Sequence, residues 1–526
     1  MAFLNSSVSG EPDPIVKLHK EAEVLQGEVQ KHEEIEKMHQ IEAEQRMRAL
    51  LLDNLQHPAT INSIEVHGAK NTRKGFLDPV LQPLVAESRN AGTTLGDVLQ
   101  GLREVTDKLN RFDIFHPEPQ VTLSDARAAD PHAAATDLDI AIRVREKSRL
   151  IFKAGTDVGN AEGSAYTNGL LRNIFGGGES LSVSASAGTR TRSAYSASFT
   201  TPVNSNPDLQ FSLEGLASST QKPWASHEEV VKGGNARLAW LSRSSSGAVD
   251  THTVSYLQAW RQLTGLTSTA SPTIRADAGD SVKSSLSHVF TRDRRDNPML
   301  PQNGYLLKAS SELAGWGPLG GDVSFTKYEV EASGAKPIYI PGLHSDGPSG
   351  ISVGAGLRLG ALYPLPFGYS LTGKAMPSRV NDRFQLGGPT DVRGFTQGGL
   401  GPRHGADAVG GDVYAAGGVN MLLPLPRVGP ASPLRLQLFA NGGRLVALNS
   451  NESSKGPAMD SKTVYNGMKS AVGELFNGLP SMAAGFGLVY AHPVARFELN
   501  FSLPLVTRRG EESRKGLQVG VGINFL

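Results

Sequence analysis

From Lys147 to the C-terminus the chain alternates apolar and polar residues with a period of two, the signature of strands with one face in an apolar medium. Leu181, Val183, Ala185 and Ala187 alternate with Ser182, Ser184, Ser186 and Gly188; Tyr195, Ala197 and Phe199 with Ser196 and Ser198. Leu434, Leu436 and Leu438 alternate with Arg435, Gln437 and Phe439, and Phe497, Leu499, Phe501 and Leu503 with Arg496, Glu498, Asn500 and Ser502. The last segment sets Leu517, Val519, Val521, Ile523 and Phe525 against Gln518, Gly520, Gly522 and Asn524. The pattern predicts about sixteen strands, near 148–158, 162–173, 178–190, 193–203, 207–220, 233–246, 250–263, 279–293, 302–316, 322–335, 350–363, 413–424, 433–446, 480–492, 493–506 and 514–526. A tilted membrane strand needs ~9–11 residues, and these segments supply them. One apolar and one polar face suits a wall with lipid outside and water inside. Closure into a barrel then satisfies every backbone group. The competing reading is a soluble all-β protein, a propeller or two sandwiches. The consistency of the polar faces and the lack of a ~40-residue repeat speak against it.

Two connections break the hairpin rhythm. Residues 364–412 form a long loop rich in Gly, Pro and Arg, and a loop of that length in a compact fold is usually functional or disordered. Within 458–478, Val464, Met468, Val472 and Phe476 fall at helical spacing and predict a helix before the fourteenth strand. Ahead of the strands the pattern changes. Residues 1–57 are charged and helical in character, with Val29, Ile35, Met38 and Ile41 too sparse for a sustained heptad; they read as a solvated helical extension or a docking arm. Residues 58–146 read as β-α-α-β-β. Ile61, Ile64 and Val66 open a strand that Gly68-Ala69 ends, and Thr72 and Thr94 are placed to cap two helices. Val98, Leu102, Val105, Leu109 and Phe112 share one helical face, Val121 and Leu123 mark a short strand, and Leu138, Ile140, Ile142 and Val144 alternate in another.

Composition narrows the function. Net charge is +1, so no global field favours nucleic acid, and none is expected as a partner. With no cysteine there are no disulfides or thiolate metal sites. Glycine is 59 of 526 residues, about 11 % against an ordinary ~7 %, which suits a crowded, curved barrel wall. No run of ~18 apolar residues predicts a transmembrane helix. The first residues, MAFLNSSVSGEPDP, resemble neither a secretory signal nor an Arg-rich presequence, which predicts synthesis in the cytosol and entry into the membrane from there. The thirteen histidines are scattered and Gly176-Gly177-Gly178 reads as a hairpin turn, so no enzyme, metal or cofactor is expected.

Inside the long loop, Phe384-Gln385-Leu386-Gly387-Gly388 followed by Val392-Arg393-Gly394-Phe395 resembles the sixth-loop signature of the outer-membrane barrel-assembly and protein-translocation superfamily. Three shorter features agree. Thr291-Arg292-Asp293-Arg294-Arg295-Asp296-Asn297, with Pro301 and Gly304-Tyr305, resembles the family's eighth-strand segment. Residues 58–146 resemble one POTRA domain, and Phe439-Ala440-Asn441-Gly442-Gly443 stands where the family carries a Phe-x-Asp-x-Gly-like motif. The resemblance implies a 16-stranded antiparallel transmembrane β-barrel over 147–526, preceded by one small α+β domain, with the loop folded into the lumen. By alternation Phe439, Asn441 and Gly443 face inward, so Arg393 is expected to donate to the Asn441 carbonyl while Gly443 leaves room for the loop. Because Asn replaces the family's Asp, Asp391, Asp412 or Asp382 is an alternative partner for Arg393.

A single POTRA-like domain and the form of the last strand point to the family's mitochondrial branch, with the POTRA domain in the intermembrane space. That branch's β-signal reads polar-x-Gly-x-x-hydrophobic-x-hydrophobic, filled here by Gln518, Gly520, Ile523 and Phe525. The resemblance implies a lateral gate between the first strand (Lys153, Gly155, Thr156, Asp157) and the last (Gly516, Gln518, Gly520, Gly522). There the C-terminal strand of a β-barrel precursor would pair by β-augmentation. Expected partners are β-barrel precursor proteins, membrane lipids and peripheral accessory subunits on the cytosolic side. The competing functions are a passive diffusion pore and a protein-translocating channel.

Overall fold

The computed structural model describes Met38, Glu42, Gln45, Arg46, Ala49, Leu50 and residues 52–90, 92–159, 162–243, 248–338, 350–367, 373–425, 432–448, 459–493 and 495–522. The chain divides into two units. The smaller has the order β1 (Thr60–His67), α1 (Lys74–Ser88), α2 (Leu95–Arg111), β2 (Gln120–Asp125) and β3 (Asp137–Arg143). Its sheet runs β1-β3-β2, with β1 parallel and β2 antiparallel to the central β3. Val98, Leu102, Val105 and Leu109 are buried as the spacing requires, with Leu84, Ile140 and Ile142. Helices α1 and α2 approach closely because Gly101 has no Cβ, which would fall 2.4 Å from Leu84 Cδ1. Thr94 caps α2 as expected: its N–H and hydroxyl donate to Asp97 Oδ2, and the Asp97 N–H donates back to Thr94 Oγ1. Thr72 does not cap α1, which starts at Lys74; its hydroxyl donates to Glu146 instead.

Among the described residues the main sheet of the larger unit has sixteen strands: β4 (Leu150–Gly159), β5 (Glu162–Arg172), β6 (Ser180–Gly188), β7 (Thr191–Val203), β8 (Asn206–Lys222), β9 (His227–Arg243), β10 (Val249–Thr264), β11 (Gly279–Asp293), β12 (Gly304–Ala314), β13 (Phe325–Pro337), β14 (Ser352–Pro364), β15 (Val413–Pro424), β16 (Leu434–Val446), β17 (Ser481–Ala491), β18 (Arg496–Val506) and β19 (Gly516–Gly522), while Arg403–His404 and Asp407–Ala408 pair as a separate two-stranded ribbon in the long loop. Each pairs antiparallel with its chain neighbours in one continuous sheet, and helix α3 (Pro272–Ala276) interrupts one connection. All sixteen expected segments are strands, most with bounds shifted by a few residues. The last is described only to Gly522; Ile523 and Phe525 lie outside the described residues.

Alternation sorts the wall. Along β16 and β17, Leu438 and Phe486 are exposed while Gln437, Phe439, Asn441 and Val489 are buried. Along β18, Phe497, Leu499, Phe501 and Leu503 face out, and Arg496, Glu498, Asn500 and Ser502 are buried on the inner side. An apolar exterior around a polar, packed interior is the arrangement lipid imposes on a barrel. No described helix is long and apolar enough to cross a membrane. The helix expected in 458–478 is α4 (Ser461–Leu475), but its packed face is Val464, Met468 and Ala471; Val472 and Phe476 of the expected stripe are exposed.

Candidate functional site: the inward loop and the seam

The long connection between β14 and β15 folds against the inner wall. Phe384, Leu386, Val392, Phe395 and Leu400 are buried with the inward residues Leu362, Tyr414, Ala416, Leu445 and Ala483. Backbone bonds hold its course: Phe384 and Gly411 exchange both N–H···O bonds, and the Leu400 N–H donates to the Leu386 carbonyl at 3.0 Å. Gly387 and Gly388 sit at φ +107° and +138°, where a Cβ is disfavoured. The turn they make is closed by the Asp391 carboxylate, which accepts from the Gly387 N–H at 2.7 Å. The space above Gly443 is filled by Leu386, whose Cδ2 would lie 2.8 Å from an added Cβ. Phe384 packs edge-on against Tyr414 at 4.8 Å.

Arg393 is almost completely buried and its partner differs from the expected one. Its Nε and Nη2 donate to both Glu498 carboxylate oxygens at 2.9 and 3.2 Å, while the guanidinium lies over the Phe439 ring. Glu498 also meets Arg496 at 2.6 Å and accepts from Asn500 Nδ2 at 2.7 Å. Asn441 binds the backbone of Arg393 instead: its amide accepts from the Arg393 N–H at 2.8 Å and donates to the Arg393 carbonyl at 3.2 Å. The reason is division of labour. An amide matches a peptide's donor and acceptor, whereas a buried guanidinium requires a carboxylate. The three aspartates considered for Arg393 serve elsewhere. Asp391 pairs with Arg358, Asp382 with Arg261 (2.7 Å) and Lys283 (3.5 Å), and Asp412 accepts from Ser378 and from the Leu448 N–H.

Asp382 docks the first part of the loop to the wall. Burial alone would raise its carboxyl, but Arg261, Lys283 and Lys327 outweigh burial and hold it below the usual carboxylate range. A depressed native value means its contribution is full above the unfolded pKa of ~3.9 and is lost as pH falls through the native one. A spin label at Lys374→Cys, an exposed loop position, should keep constant mobility from pH 7 to about pH 4 and loosen at lower pH; an Asp382→Asn background should be loose throughout.

The loop also grips the last strand. The Gly394 N–H donates to Gln518 Oε1 at 2.9 Å, and Gln518 Nε2 donates to the Phe395 carbonyl at 3.2 Å. The Arg514 N–H donates to the Gly394 carbonyl, and Thr396, Gly399 and Glu512 exchange backbone bonds. Gly394, at φ +86°, lies so close to the wall that a Cβ would meet Ala483 at 2.5 Å. Strand β19 thus has ladder partners on β18 and loop partners on its inward side.

Strands β4 and β19 are the two ends of the sheet. They run near one another, and among the described residues no ladder joins them. Gly516 stands at φ +119° where β19 begins. Gly155 of β4 lies under Tyr166, whose hydroxyl would be 2.7 Å from an added Cβ. Lys153 and Thr156 are exposed along β4; Asp157 belongs to the strand, but its side chain lies outside the described residues. Gln518 and Gly520 are buried on the inward side of β19. The eighth-strand segment forms a tight turn in which Asp296 Oδ1 accepts from the N–H groups of Gln302 and Asn303.

A family model for the Omp85 superfamily domain matches residues 173–525. The chain belongs to the Omp85 superfamily. It is 39 % identical over 491 residues to a SAM50-like protein of Schizosaccharomyces pombe, covering 92 % of this chain and 95 % of that one. It is 34 % identical over 434 residues to the sorting and assembly machinery component 50 homolog of Bos taurus, covering 82 % and 84 %. Within the Omp85 superfamily it is therefore of the sorting and assembly machinery 50 type, a β-barrel of the mitochondrial outer membrane. Its fold is similar to that of BamA from Haemophilus ducreyi lacking POTRA domains 1–3, with a TM-score of 0.66 at 14 % identity, covering 88 % of this chain and 84 % of that one.

Proposed function

We propose that this Omp85 barrel inserts and folds β-barrel precursors into the mitochondrial outer membrane through a gate between β4 and β19. The observation that carries the reading is the seam: one continuous sheet whose two end strands lie side by side with no ladder among the described residues. The edge of an end strand that parts from its neighbour is a template for an added strand, and a precursor's C-terminal strand would pair there by β-augmentation. The names of the relatives, components of a sorting and assembly machinery, support the same reading.

The loop gives the gate its control. Moving β19 away from β4 strains the bonds between Gln518 and the Gly394–Phe395 backbone. The loop and the last strand are therefore expected to move together, with Arg393–Glu498 as the fixed point on the neighbouring β18. In this reading Gln518 and Gly520, with Ile523 and Phe525, are also the protein's own β-signal. The smaller unit is proposed to be a POTRA domain in the intermembrane space that receives precursors, with peripheral subunits on the cytosolic side. A loop core packed against the inner wall speaks against a passive pore.

Photo-crosslinking residues placed along Leu150–Thr156 and Leu517–Val521 should capture the C-terminal strand of an arrested precursor. Crosslinks confined to inward positions such as Asn168 and Gln437 would favour a translocating channel and defeat the gate.

A further inference from the structure

Helix α4 lies against the outside of the barrel at the end where β16 finishes and β17 begins. Val464, Met468, Ala471 and Leu475 pack on Tyr363, Val413, Val446 and Leu448. By strand alternation Tyr363, Val413 and Val446 share the outward face with Leu359, Val419 and Leu438, which are exposed. Arg444, on the same outward face, is covered by the helix end: it donates to the Asn477 carbonyl at 2.5 Å and to Glu474 at 3.1 Å.

The helix has more apolar surface than the barrel covers. Tyr465, Val472 and Phe476 fall within about 40° of one another on the helical wheel, beside the packed face. They are 62, 40 and 81 % exposed, and Leu479 just beyond is 69 % exposed. Lys462 and Lys469 border this stripe, and Asn466 and Ser470 occupy the opposite, exposed side. Leu505 of β18, 58 % exposed, continues the apolar surface along the same rim beside Met482.

We propose that α4 is an in-plane membrane helix, seated in the headgroup–acyl boundary of the leaflet at the loop end of the barrel. Its occupant is phospholipid. The argument is continuity: the stripe extends the lipid-facing wall instead of standing apart from it. The two lysines lie where long amines reach from an apolar bed to phosphate groups. Such a helix fixes the depth of the barrel rim. It also anchors the long loop, because Ala375 of that loop and Met459, just before α4, exchange both backbone hydrogen bonds.

The chain has no cysteine, so single sites can be labelled cleanly. The full chain, reconstituted in phosphatidylcholine vesicles, would carry an environment-sensitive fluorophore at Val472→Cys, Phe476→Cys, Asn466→Cys or Ser470→Cys, with Leu438→Cys as the lipid-facing reference. Quenching by doxyl-labelled lipid should be at least about twofold stronger at 472 and 476 than at 466 and 470, with iodide quenching in the reverse order. Iodide access at 472 and 476 equal to that at 466 and 470 would overturn the proposal. So would shielding there from iodide without doxyl quenching, which would mean protein cover by a second copy of the chain. If Leu438 itself escapes doxyl quenching, the lipid-facing wall falls with the helix; failure at 472 and 476 alone leaves the wall standing.

Discussion

Oxidising a cysteine pair across the β4–β19 seam should nearly abolish precursor insertion, and reduction should restore it. No native thiol competes. The pair is found by scanning outward positions of β4, from Leu150 to Thr156, against Leu517, Val519 and Val521 of β19 for efficient disulfide formation. A disulfide needs Cα atoms roughly 4.4–6.8 Å apart, so only pairs truly in register will close. If the end strands must part to admit a precursor, the locked protein should assemble barrels at least ~10-fold more slowly while keeping its own fold, because the lock opposes β-augmentation and nothing else. Insertion assayed with an imported precursor, with and without reductant, reads the effect. Undiminished insertion in a fully oxidised sample would exclude a gate at this seam.

Much of this architecture is legible in the sequence because lipid enforces period two. A strand such as 434–446 writes Leu434, Leu436 and Leu438 on one side and Arg435, Gln437 and Phe439 on the other, and no other element tolerates that pattern. The loop is legible through its glycines and the spacing to Arg393. What the sequence does not disclose is which residue answers which. Glu498 stands in plain alternation with Arg496 and Asn500, yet it lies 105 positions from Arg393 and on a different strand from the motif that drew attention to Asn441. A buried acid between two polar wall residues was the available signal, since a carboxylate facing a packed lumen needs a cation. Helix α4 fails in phase for a related reason. Its apolar residues span about 140° of the wheel, so a stripe read at i, i+4, i+8 mixes the face packed on the barrel with the face left over.

Replacing Glu498 by Gln should be among the most destabilising changes in the barrel, and more so than removing Arg393. One carboxylate faces two guanidiniums, at 2.9 Å from Arg393 and 2.6 Å from Arg496. All three side chains are buried. Glu498→Gln leaves two buried cations facing a neutral amide. Removing one partner of a buried pair costs about 3–5 kcal/mol. In Arg393→Met, by contrast, Glu498 keeps Arg496 and the Asn500 amide, and methionine still fills space over Phe439; a loss on the order of 1.5–3 kcal/mol is expected, that of a charged hydrogen bond. Denaturant unfolding in vesicles should rank the variants in that order. Because Arg393 also fixes the loop backbone that holds Gln518, both should loosen the loop, read as proteolysis within 384–400. Equal stability of Glu498→Gln and the unaltered protein would mean that the loop is anchored by its apolar core alone, by Leu386, Val392 and Phe395, with the ion pair merely orienting it.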